Sequence, residues 1–440
     1  MARRLVVGIL AGLVALGCSG GSDPDERAVR VVLVTLDTLR ADALASMPRL
    51  AARAESGRRF PNAFAASPAT QPTHASLFTG LHPWQHGVSR NGLVLDDAYL
   101  TVAERLKAAG FTTAAVVSSF PLLPRFGFAQ GFDVFAHRFD RDLGAPTWQG
   151  AAVAERFYQT AGPVSDDALR LLAQAEGPRQ FFWFHYFDPH EPYGDAAGKG
   201  IPLRALLSTR RSEPAQLAER LGIARKLYAR DLRHLDEQLE RVFRALEARS
   251  DHFETHVIVT ADHGESFGEA GALGHGGRVT REQIQVPLLL FSPRAPAGVD
   301  PSVAGSVDVG RTLLVFAGVA PDGADAADPF GGRDLSRPAE AGHTRALGMR
   351  VTGLAAFDLE LAGEAPDAPA GPRFFLATEG RLLGGHAGAV FEEDDPERPL
   401  DAAEVRRSFA GFEAALAEIS AVEDLDPETR EGLRALGYVE

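Results

Sequence analysis

The sequence predicts an α/β fold with a mostly parallel central sheet sandwiched by helices, followed by a small C-terminal α+β subdomain. Runs of β-branched and aromatic residues of strand length recur along the chain, a pattern typical of strands buried on both faces. Amphipathic helical patterns separate these runs, and such alternation favours a parallel sheet with helices on both sides. Of the 440 residues, 45% are hydrophobic, which is enough to build a large core.

The individual elements follow from these patterns in chain order. The predicted strands are Val29–Leu36, Thr112–Val117, Gln180–Tyr186, His256–Thr260 and Val286–Phe291. The clearest predicted helix runs from Leu221 to Leu246, because apolar residues recur there at three- and four-residue steps along one face. Near the end of the chain, the patterns predict two strand-like stretches and a short helix, at Leu354–Leu361, Arg373–Leu383 and after Asp426.

Changes in composition divide the chain into five predicted segments. A leader at 1–17 and a polar tether at 18–29 precede the large α/β domain at 30–320. Residues 321–345 are rich in Ala, Gly, Asp and Pro, which is typical of a loop or linker. The small subdomain is predicted at 346–440.

The first residues resemble an export signal. Arg3 and Arg4 precede the apolar run Leu5–Leu16, which is too short to span a bilayer but is typical of a signal peptide. Cys18 follows Ala15-Leu16-Gly17, a sequence similar to a bacterial lipobox. We therefore expect a protein exported to the cell envelope or periplasm and held at the membrane by lipid chains on Cys18. An ordinary signal peptide with an incidental Cys18 is the alternative.

Charge and cysteine content exclude several classes of function. The formal net charge of −14 argues against nucleic acid as a binding partner, so an anionic substrate would need a local positive site. Only three of the 45 basic residues are lysines, and arginine and histidine must therefore do most of any anion binding. A single cysteine excludes a disulfide framework and a cysteine-based zinc site.

Polar side chains follow three of the predicted strands. The stretches are Asp37–Asp42, Asp188–Tyr193 and Ala261–Glu265, and ligands of parallel sheets bind at such carboxyl ends. Any one acidic residue here could be a helix cap. Three strand-end acidic groups in one sheet, two of them with a nearby histidine, favour a divalent metal bound by oxygen and nitrogen.

A short helix punctuated by Pro72 and Gly80 offers a fourth polar site. A hydroxyl at its start meets backbone N–H groups and the positive end of the helix dipole, a place that stabilises an oxyanion or a bound phosphate. Thr70 and Thr73 are both candidates, and both are also compatible with simple capping.

Together these blocks resemble the sulfatase branch of the alkaline-phosphatase superfamily, from about Val31 to Gly318. The family signature, Cys or Ser-x-Pro-Ser-Arg followed by Leu-x-Thr-Gly, corresponds to Thr70–His74 and Leu77–Gly80. The sequences LDTLRAD, HYFDPHEPY, VIVTADHGE and VDVGRTLLVFAGV are similar to successive family blocks. The resemblance implies the same α/β fold and hydrolysis of an anionic ester.

The departures from the family pattern bear on the chemistry. Sulfatases convert the Cys or Ser to formylglycine, and Thr70 cannot supply an unbranched formylglycine. Thr38 replaces a second metal-binding Asp, and the family's active-site Lys and His are missing near Val117–Phe120. The surroundings of Thr70 are instead similar to nucleotide pyrophosphatases/phosphodiesterases, in which an Asn at the spacing of Asn91 binds the phosphoryl oxygen.

The expected site has Asp37, Thr70, Asp262 and His263 around one divalent ion, which is calcium, manganese or zinc. Thr70 would be the nucleophile, activated by the ion, and Arg40 would orient it. Preplaced donors would stabilise the developing charge, and a histidine could protonate the leaving group; the candidates are Asn91, His190 and His275. A second metal held by Asp188, His190 and His275 remains an alternative.

Other polar residues are assigned structural roles. His185 alternates on a strand and is expected to be a satisfied core residue, and His74 to hydrogen-bond within the short helix. Glu265 and Glu269 are expected to face solvent or cap a loop.

The function expected is that of an exported metal-dependent hydrolase, cleaving a phosphate, phosphonate or sulfate ester through a covalent threonine ester. Three alternatives stay open. They are a genuine sulfuric ester hydrolase, a transferase of phospho-groups on envelope substrates, and an inactive relative that binds an anion.

Overall fold

The computed structural model describes most of the chain up to residue 319 and separate pieces beyond it. The described residues are 28–139, 147–148, 151–152, 157–195, 200–276, 279–319, 330–339, 345–351, 372–378, 381–386 and 389–392. The predicted export signal, the Leu354–Leu361 stretch and the helix after Asp426 lie outside them.

Helices and strands alternate along much of the chain. The helices are α1 Pro48–Ala54, α2 Thr70–Thr79, α3 Pro83–His86, α4 Val102–Ala108, α5 Ala161–Gln174, α6 Leu203–Ser212, α7 Pro214–Glu247, α8 Arg281–Ile284 and α9 Ser306–Phe316. The strands are β1 Ala28–Leu36, β2 Arg58–Arg59, β3 Ala63–Phe64, β4 Thr112–Val116, β5 Val134–Ala136, β6 Thr147–Trp148, β7 Ala151–Ala152, β8 Arg179–Tyr186, β9 Phe253–Ala261, β10 Ser266–Phe267, β11 Leu273–Gly274, β12 Leu288–Phe291, β13 Gly298–Val299, β14 Ala304–Gly305, β15 Arg345–Val351, β16 Pro372–Thr378, β17 Arg381–His386 and β18 Ala389–Glu392.

The central sheet has eight strands in the order β13-β2-β12-β9-β1-β8-β4-β5. The five strands from β9 to β5 are parallel, whereas β12 pairs antiparallel with both β9 and β2. This arrangement confirms the predicted mostly parallel sheet, with an antiparallel edge. All five predicted strands are present within three residues of their expected ends.

Helices cover both faces of the sheet. Helix α7 packs against α1, α5 and α6, and α9 packs against α2 and α4. The predicted face of α7 is buried as expected; its residues are Tyr228, Leu232, Leu235, Leu239, Val242, Phe243 and Leu246. In the part of the chain that the structure describes, no helix has the length and apolar character needed to cross a membrane.

The last described strands form a separate sheet. Strands β15, β16, β17 and β18 pair antiparallel in that order. The predicted stretch Arg373–Leu383 is therefore a hairpin that includes β16 and the start of β17, rather than one strand. Within the predicted linker, Phe330 and Leu335 are buried, and Phe330 lies against Gly80 at the end of α2.

The register of the three central strands positions the polar residues. Leu36 of β1 pairs with Tyr186 of β8 and with Ala261 of β9. The three strands therefore end level with one another, and Asp37 and Asp262 both follow directly at the same edge of the sheet. This is the edge at which parallel sheets bind ligands.

Candidate active site

Two buried carboxylates form the floor of the site. In the structure, Asp37 accepts no hydrogen bond from a described residue at either oxygen. Asp262 Oδ1 accepts the N–H groups of Thr38 and His263, at 3.2 and 2.8 Å, whereas its Oδ2 has no hydrogen-bond partner among the described residues. Burial raises the pKa of both carboxyls, and the charges of Asp262 and Glu265 raise that of Asp37 further. Unpaired buried carboxylates are unfavourable unless a cation neutralises them.

The His263 imidazole presents a lone pair to these carboxylates. Its Nδ1 donates a hydrogen bond to the Gly264 carbonyl at 3.0 Å, which leaves Nε2 as the unprotonated nitrogen. Nε2 lies 3.6 Å from Asp262 Oδ2 and 3.8 Å from Asp37 Oδ1. Burial lowers the pKa of His263 to about 4, so the ring is neutral near pH 7. A backbone hydrogen bond of this kind orients histidine ligands in metal sites.

The Gly264 backbone fits closely between two segments. A Cβ at this position would lie 2.0 Å from the Glu282 carbonyl oxygen, so the chain passes there only as glycine. The turn that carries His263 is thereby fixed against helix α8.

Thr70 lies at the first residue of α2, fully buried beside the same cluster. Its Oγ1 is 3.4 Å from His263 Nε2. Two ligands at bond lengths of 2.0–2.2 Å in tetrahedral geometry lie about 3.4 Å apart, close to the separations in this cluster. Asp37, Asp262 and His263 form one of two groups of three described residues whose ligand atoms all lie within 4.8 Å of one another. The structure thus brings together the four residues that the sequence predicts, and their donors fit a divalent ion.

Asn91 reaches the start of α2 from a distant loop. Its Oδ1 accepts the Gln71 N–H at 2.8 Å and so caps a helix whose N-cap residue, Ala69, has no polar side chain. The Asn91 Nδ2 is buried, with no hydrogen bond to a described residue. The amide is therefore held next to Thr70 with a donor left for another group, as expected for a ligand of an ester oxygen.

His190 and His275 meet above the cluster. Their Nε2 atoms are 3.1 Å apart, and the His275 ring centroid is 4.2 Å from that of His263. Asp188 does not join them, because neither group of potential metal ligands among the described residues contains it. Burial raises the pKa of Asp188 to about 7, and the charge of Asp231 adds to the rise. The structure therefore does not assemble the second metal set considered from the sequence.

Arg40 does not orient Thr70, contrary to the sequence-based expectation. Its guanidinium binds Asp42 through two hydrogen bonds of 2.8 and 2.6 Å and Glu269 through a third of 2.8 Å. These two carboxylates hold the guanidinium, and no hydrogen bond from Arg40 to Thr70 is among those of the described residues. Glu269 also accepts the Phe267 N–H and so caps the loop, as predicted.

Two residues assigned structural roles from the sequence contribute to the site or its charge. Glu265 is buried, 1% exposed, and its charge acts on Asp37 and Tyr193, so the expectation that it faces solvent is wrong. His185 of β8 has its Nε2 3.5 Å from Asp37 Oδ2. The sequence signal for His185 is its position two residues before the strand-end loop, on the face that Asp37 shares.

His74 performs the structural role expected of it. Its Nδ1 donates to the Thr70 carbonyl within α2 at 2.9 Å, and its Nε2 lies 3.1 Å from the Thr35 hydroxyl. Thr35 in turn accepts the Trp183 indole N–H at 2.9 Å. This chain of hydrogen bonds ties the first turn of α2 to β1 and β8, and so fixes the position of Thr70.

Comparison with known proteins assigns the family. A family model described as sulfatase matches residues 30–319, well over half of the chain. The chain belongs to the sulfatase family. Members of its superfamily use a divalent metal, and the cluster of Asp37, Asp262 and His263 is a candidate site for one.

Individual relatives are distant. A choline-sulfatase of Rhizobium meliloti (strain 1021) is 24% identical over 326 residues, which cover 62% of this chain and 63% of the relative, so the match spans less than two thirds of its length. The solved phosphonate monoester hydrolase of Silicibacter pomeroyi superposes with a TM-score of 0.65 at 20% identity, covering 91% of this chain and 98% of the other. The corresponding hydrolase of Agrobacterium radiobacter gives 0.65 at 19% identity, with the same coverage. These structures support the fold.

The structure shows how this sulfatase-family chain accommodates Thr38 in place of the family's second Asp. Thr38 has a φ of 55°, in the left-handed region. Its N–H donates to Asp262, and its carbonyl accepts the Tyr228 hydroxyl at 2.9 Å. Thr38 therefore contributes to the site through its backbone N–H and carbonyl, whereas its hydroxyl forms no hydrogen bond with the described residues.

Proposed function

We propose that this protein is a metal-dependent hydrolase that cleaves a phosphate or phosphonate ester through a covalent ester of Thr70. The observation that carries the proposal is the position of the Thr70 hydroxyl, at the start of α2 and 3.4 Å from the His263 lone pair, beside two carboxylates with unpartnered oxygens. A divalent ion held by Asp37, Asp262 and His263 would lower the pKa of the hydroxyl and polarise the ester oxygen.

The chain's own residues supply the remaining functions. Thr70 Oγ1 would form a bond to phosphorus and release its proton to water, and the bond from phosphorus to the leaving alcohol oxygen would break. Asn91 Nδ2 donates to a phosphoryl oxygen as negative charge develops there. His190 and His275, whose Nε2 atoms lie 3.1 Å apart, are the proposed source of the proton that passes to the leaving oxygen. Water then cleaves the threonine ester and restores the hydroxyl.

Phosphorus esters are favoured over sulfate esters because of the nucleophile. A threonine alkoxide is a single attacking oxygen, and the family's sulfatases rely instead on a formylglycine that Thr70 cannot become. Sulfate ester hydrolysis is the second candidate, supported by the similarity to a choline-sulfatase. Transfer to an alcohol acceptor and anion binding without turnover are further outcomes that the same experiment separates.

The test compares Thr70→Val with Thr70→Ser on p-nitrophenyl phosphate, its methyl diester, a phosphonate monoester and the sulfate. Thr70→Val keeps the shape but removes the hydroxyl, and kcat/KM should fall at least about 1,000-fold. Thr70→Ser keeps a hydroxyl and should retain far more activity. Equal turnover by wild type and Thr70→Val would refute the nucleophile, and a preference for the sulfate would reverse the order of substrates. Added alcohol that forms a new ester would indicate transfer, and absence of all turnover would favour the anion-binding alternative.

We also propose that the protein is exported and anchored at the cell envelope through lipid on Cys18. The lipobox-like sequence before Cys18 and the short apolar run support this. Cys18→Ala should release the protein from the membrane fraction into soluble extract. An unchanged membrane fraction would argue against lipidation.

A further inference from the structure

Gln71 directly follows the proposed nucleophile Thr70 in α2 and is completely buried. A buried side-chain amide needs partners for both its oxygen and its nitrogen. The Gln71 side chain finds them on the backbone of two other segments. Its Oε1 accepts the Gly92 N–H, and its Nε2 donates to the Pro121 carbonyl at 2.7 Å. The side chain therefore bridges the loop that carries Asn91 and the turn that contains Pro121.

The partners of this bridge assign each amide atom. A backbone N–H can only donate and a backbone carbonyl can only accept, so the Gln71 oxygen lies toward Gly92 and its nitrogen toward Pro121. The same reasoning applies to Asn91, whose Oδ1 accepts the Gln71 N–H at 2.8 Å. Of the oxygens and nitrogens of the two side-chain amides, Asn91 Nδ2 is thus the one without a hydrogen bond to a described residue.

The Asn91 loop is attached to the start of α2 at two successive residues. The Asn91 side chain binds the Gln71 backbone, and the Gly92 backbone binds the Gln71 side chain. Gly92 has a φ of 95°, in the left-handed region that favours glycine, so the chain turns at this point. A single hydrogen bond would leave the loop free to pivot about it, whereas two contacts on adjacent residues fix the direction of Asn91 Nδ2.

We propose that Gln71 is a positioning residue, which holds the Asn91 amide so that Nδ2 points at the ester oxygen beside Thr70. The inference rests on the proposed hydrolase, in which Asn91 Nδ2 donates to a phosphoryl oxygen. Gln71 acts through Asn91 rather than on the substrate, because both polar ends of its side chain bind backbone groups. A donor stabilises developing charge best when its direction is fixed before the reaction begins.

Thr73, a second polar side chain near the start of α2, does not share this role. Its hydroxyl accepts the Ser67 N–H at 3.2 Å and donates to the Ser67 carbonyl at 2.8 Å. These contacts stay within the segment that leads into the helix. The Gln71 side chain instead binds Gly92 and Pro121, which are 21 and 50 residues away in the sequence. Gln71 therefore connects distant segments, whereas Thr73 caps its own.

Loss of the bridge should affect the transition state more than substrate binding. Without the Gln71 amide, the Gly92 N–H and the Pro121 carbonyl lose a buried partner, and the loop can shift to find others. The Asn91 amide would then no longer be held toward the ester oxygen. Because negative charge on that oxygen grows during the reaction, kcat should fall while KM changes little.

The test measures kcat and KM of the full-length chain on the phosphorus ester that wild type cleaves fastest. Gln71→Met keeps the length of the side chain and removes both hydrogen bonds, and kcat should fall about 10-fold; Asn91→Ala should lower kcat about 100-fold. The double variant should lie within about twofold of Asn91→Ala alone, because the bridge acts through the Asn91 amide. Gln71→Asn, too short to reach both segments, should lose as much as Gln71→Met and replaces it if that variant does not fold.

The matched control is Gln180→Met at the amino end of β8. Gln180 is also buried, and its Nε2 likewise donates to backbone carbonyls, those of Ala175 and Gly177. The control should lower the midpoint of urea unfolding and leave kcat as in wild type. A general loss of packing would therefore affect both glutamine variants, whereas a positioning role affects kcat only in Gln71→Met.

A crystal structure of the Gln71 variant shows the direction of the Asn91 amide without reference to turnover. A displaced Asn91 amide, together with equal kcat for Asn91→Ala and the double variant, would support the inference. An amide that keeps its place, or losses that multiply in the double variant, would overturn it and leave the proposed hydrolase intact. Absence of turnover of every ester by wild type would refute both proposals, since Asn91 would then have no ester oxygen to bind.

Discussion

The buried charged groups at the two ends of β1, β8 and β9 differ in whether they have partners within the chain. At the amino ends of β1, β8 and β9, Arg30 Nε donates to Gln180 Oε1 at 3.0 Å, and its guanidinium lies 3.8 Å from the centre of the Phe253 ring. At the carboxyl ends, the oxygens of Asp37 and the Nε2 of His185 have no hydrogen-bond partner among the described residues. One sheet therefore holds a buried charged group with partners at its amino end and a buried charged group without them at its carboxyl end.

The buried charged group at the amino end stabilises the fold, whereas those at the carboxyl end belong to the candidate active site. At the amino end, partners within the chain compensate for burial, as stability requires. At the carboxyl end, burial raises the pKa of Asp37 and Asp262 without supplying a counter-charge from the chain. Functional sites commonly break local rules of stability in this way. Substitutions at the two ends should accordingly have opposite effects on stability and activity.

The largest effect is expected for Asp37→Asn. Activity should fall at least about 1,000-fold, because a carboxylate proposed to bind the metal is lost. The metal-free variant should nevertheless be more stable than metal-free wild type by about 1–3 kcal/mol. The folded-state pKa of Asp37 lies above the unfolded value, so ionisation destabilises the wild type as the pH rises above about 4. The gain should therefore be present at pH 7 and vanish near pH 3. Urea unfolding with a chelator present, at both pH values, measures it.

The matched substitution at the amino end is Arg30→Met. It removes the buried guanidinium and leaves Gln180 Oε1 without that donor, so stability should fall by about 2–4 kcal/mol. The value of kcat on the preferred substrate should stay unchanged, since Arg30 lies at the end of β1 away from Thr70. A stabilised Arg30→Met, or a destabilised Asp37→Asn, would remove the distinction between the two ends.

The sequence predicts buried faces and strand ends better than it predicts the hydrogen-bond partners of single side chains. The strands and the buried face of α7 were predictable because apolar periodicity reports burial directly, as the match at Leu232, Leu235 and Leu239 shows. The cluster of Asp37, Asp262 and His263 was predictable because strand ends in a parallel sheet converge and because the blocks resemble a known family.

The sequence-based predictions failed where the hydrogen-bond partners of a side chain determine what it does. Arg40 follows the first strand in the family pattern, but its guanidinium binds Asp42 and Glu269 rather than Thr70. His185 looked like a core histidine because burial alone is visible in an alternating strand. Its hydrogen bonds with Ser118, which is 67 residues away in the sequence, could not be predicted from that pattern.

The smallest effect is expected at Thr38, where the backbone rather than a charge is strained. A β-branched residue with a φ of 55° is unfavourable by about 1–3 kcal/mol, whereas glycine adopts this conformation freely. After the greater flexibility of glycine in the unfolded chain is subtracted, Thr38→Gly should stabilise the metal-free protein by about 1 kcal/mol. Thermal or urea unfolding measures this, at a pH where wild type unfolds reversibly.

The control is the same substitution at the amino end of the neighbouring strand. Thr255 lies within β9 and pairs with Arg30 of β1, so its backbone is regular strand. Thr255→Gly should destabilise the protein by about 1 kcal/mol, because glycine weakens a strand interior. Stabilisation by Thr38→Gly together with destabilisation by Thr255→Gly would show that backbone strain, like unpaired charge, is concentrated at the carboxyl ends of the strands. Destabilisation by both would mean that Thr38 makes side-chain contacts that outweigh its strain, and that only charge distinguishes the two ends.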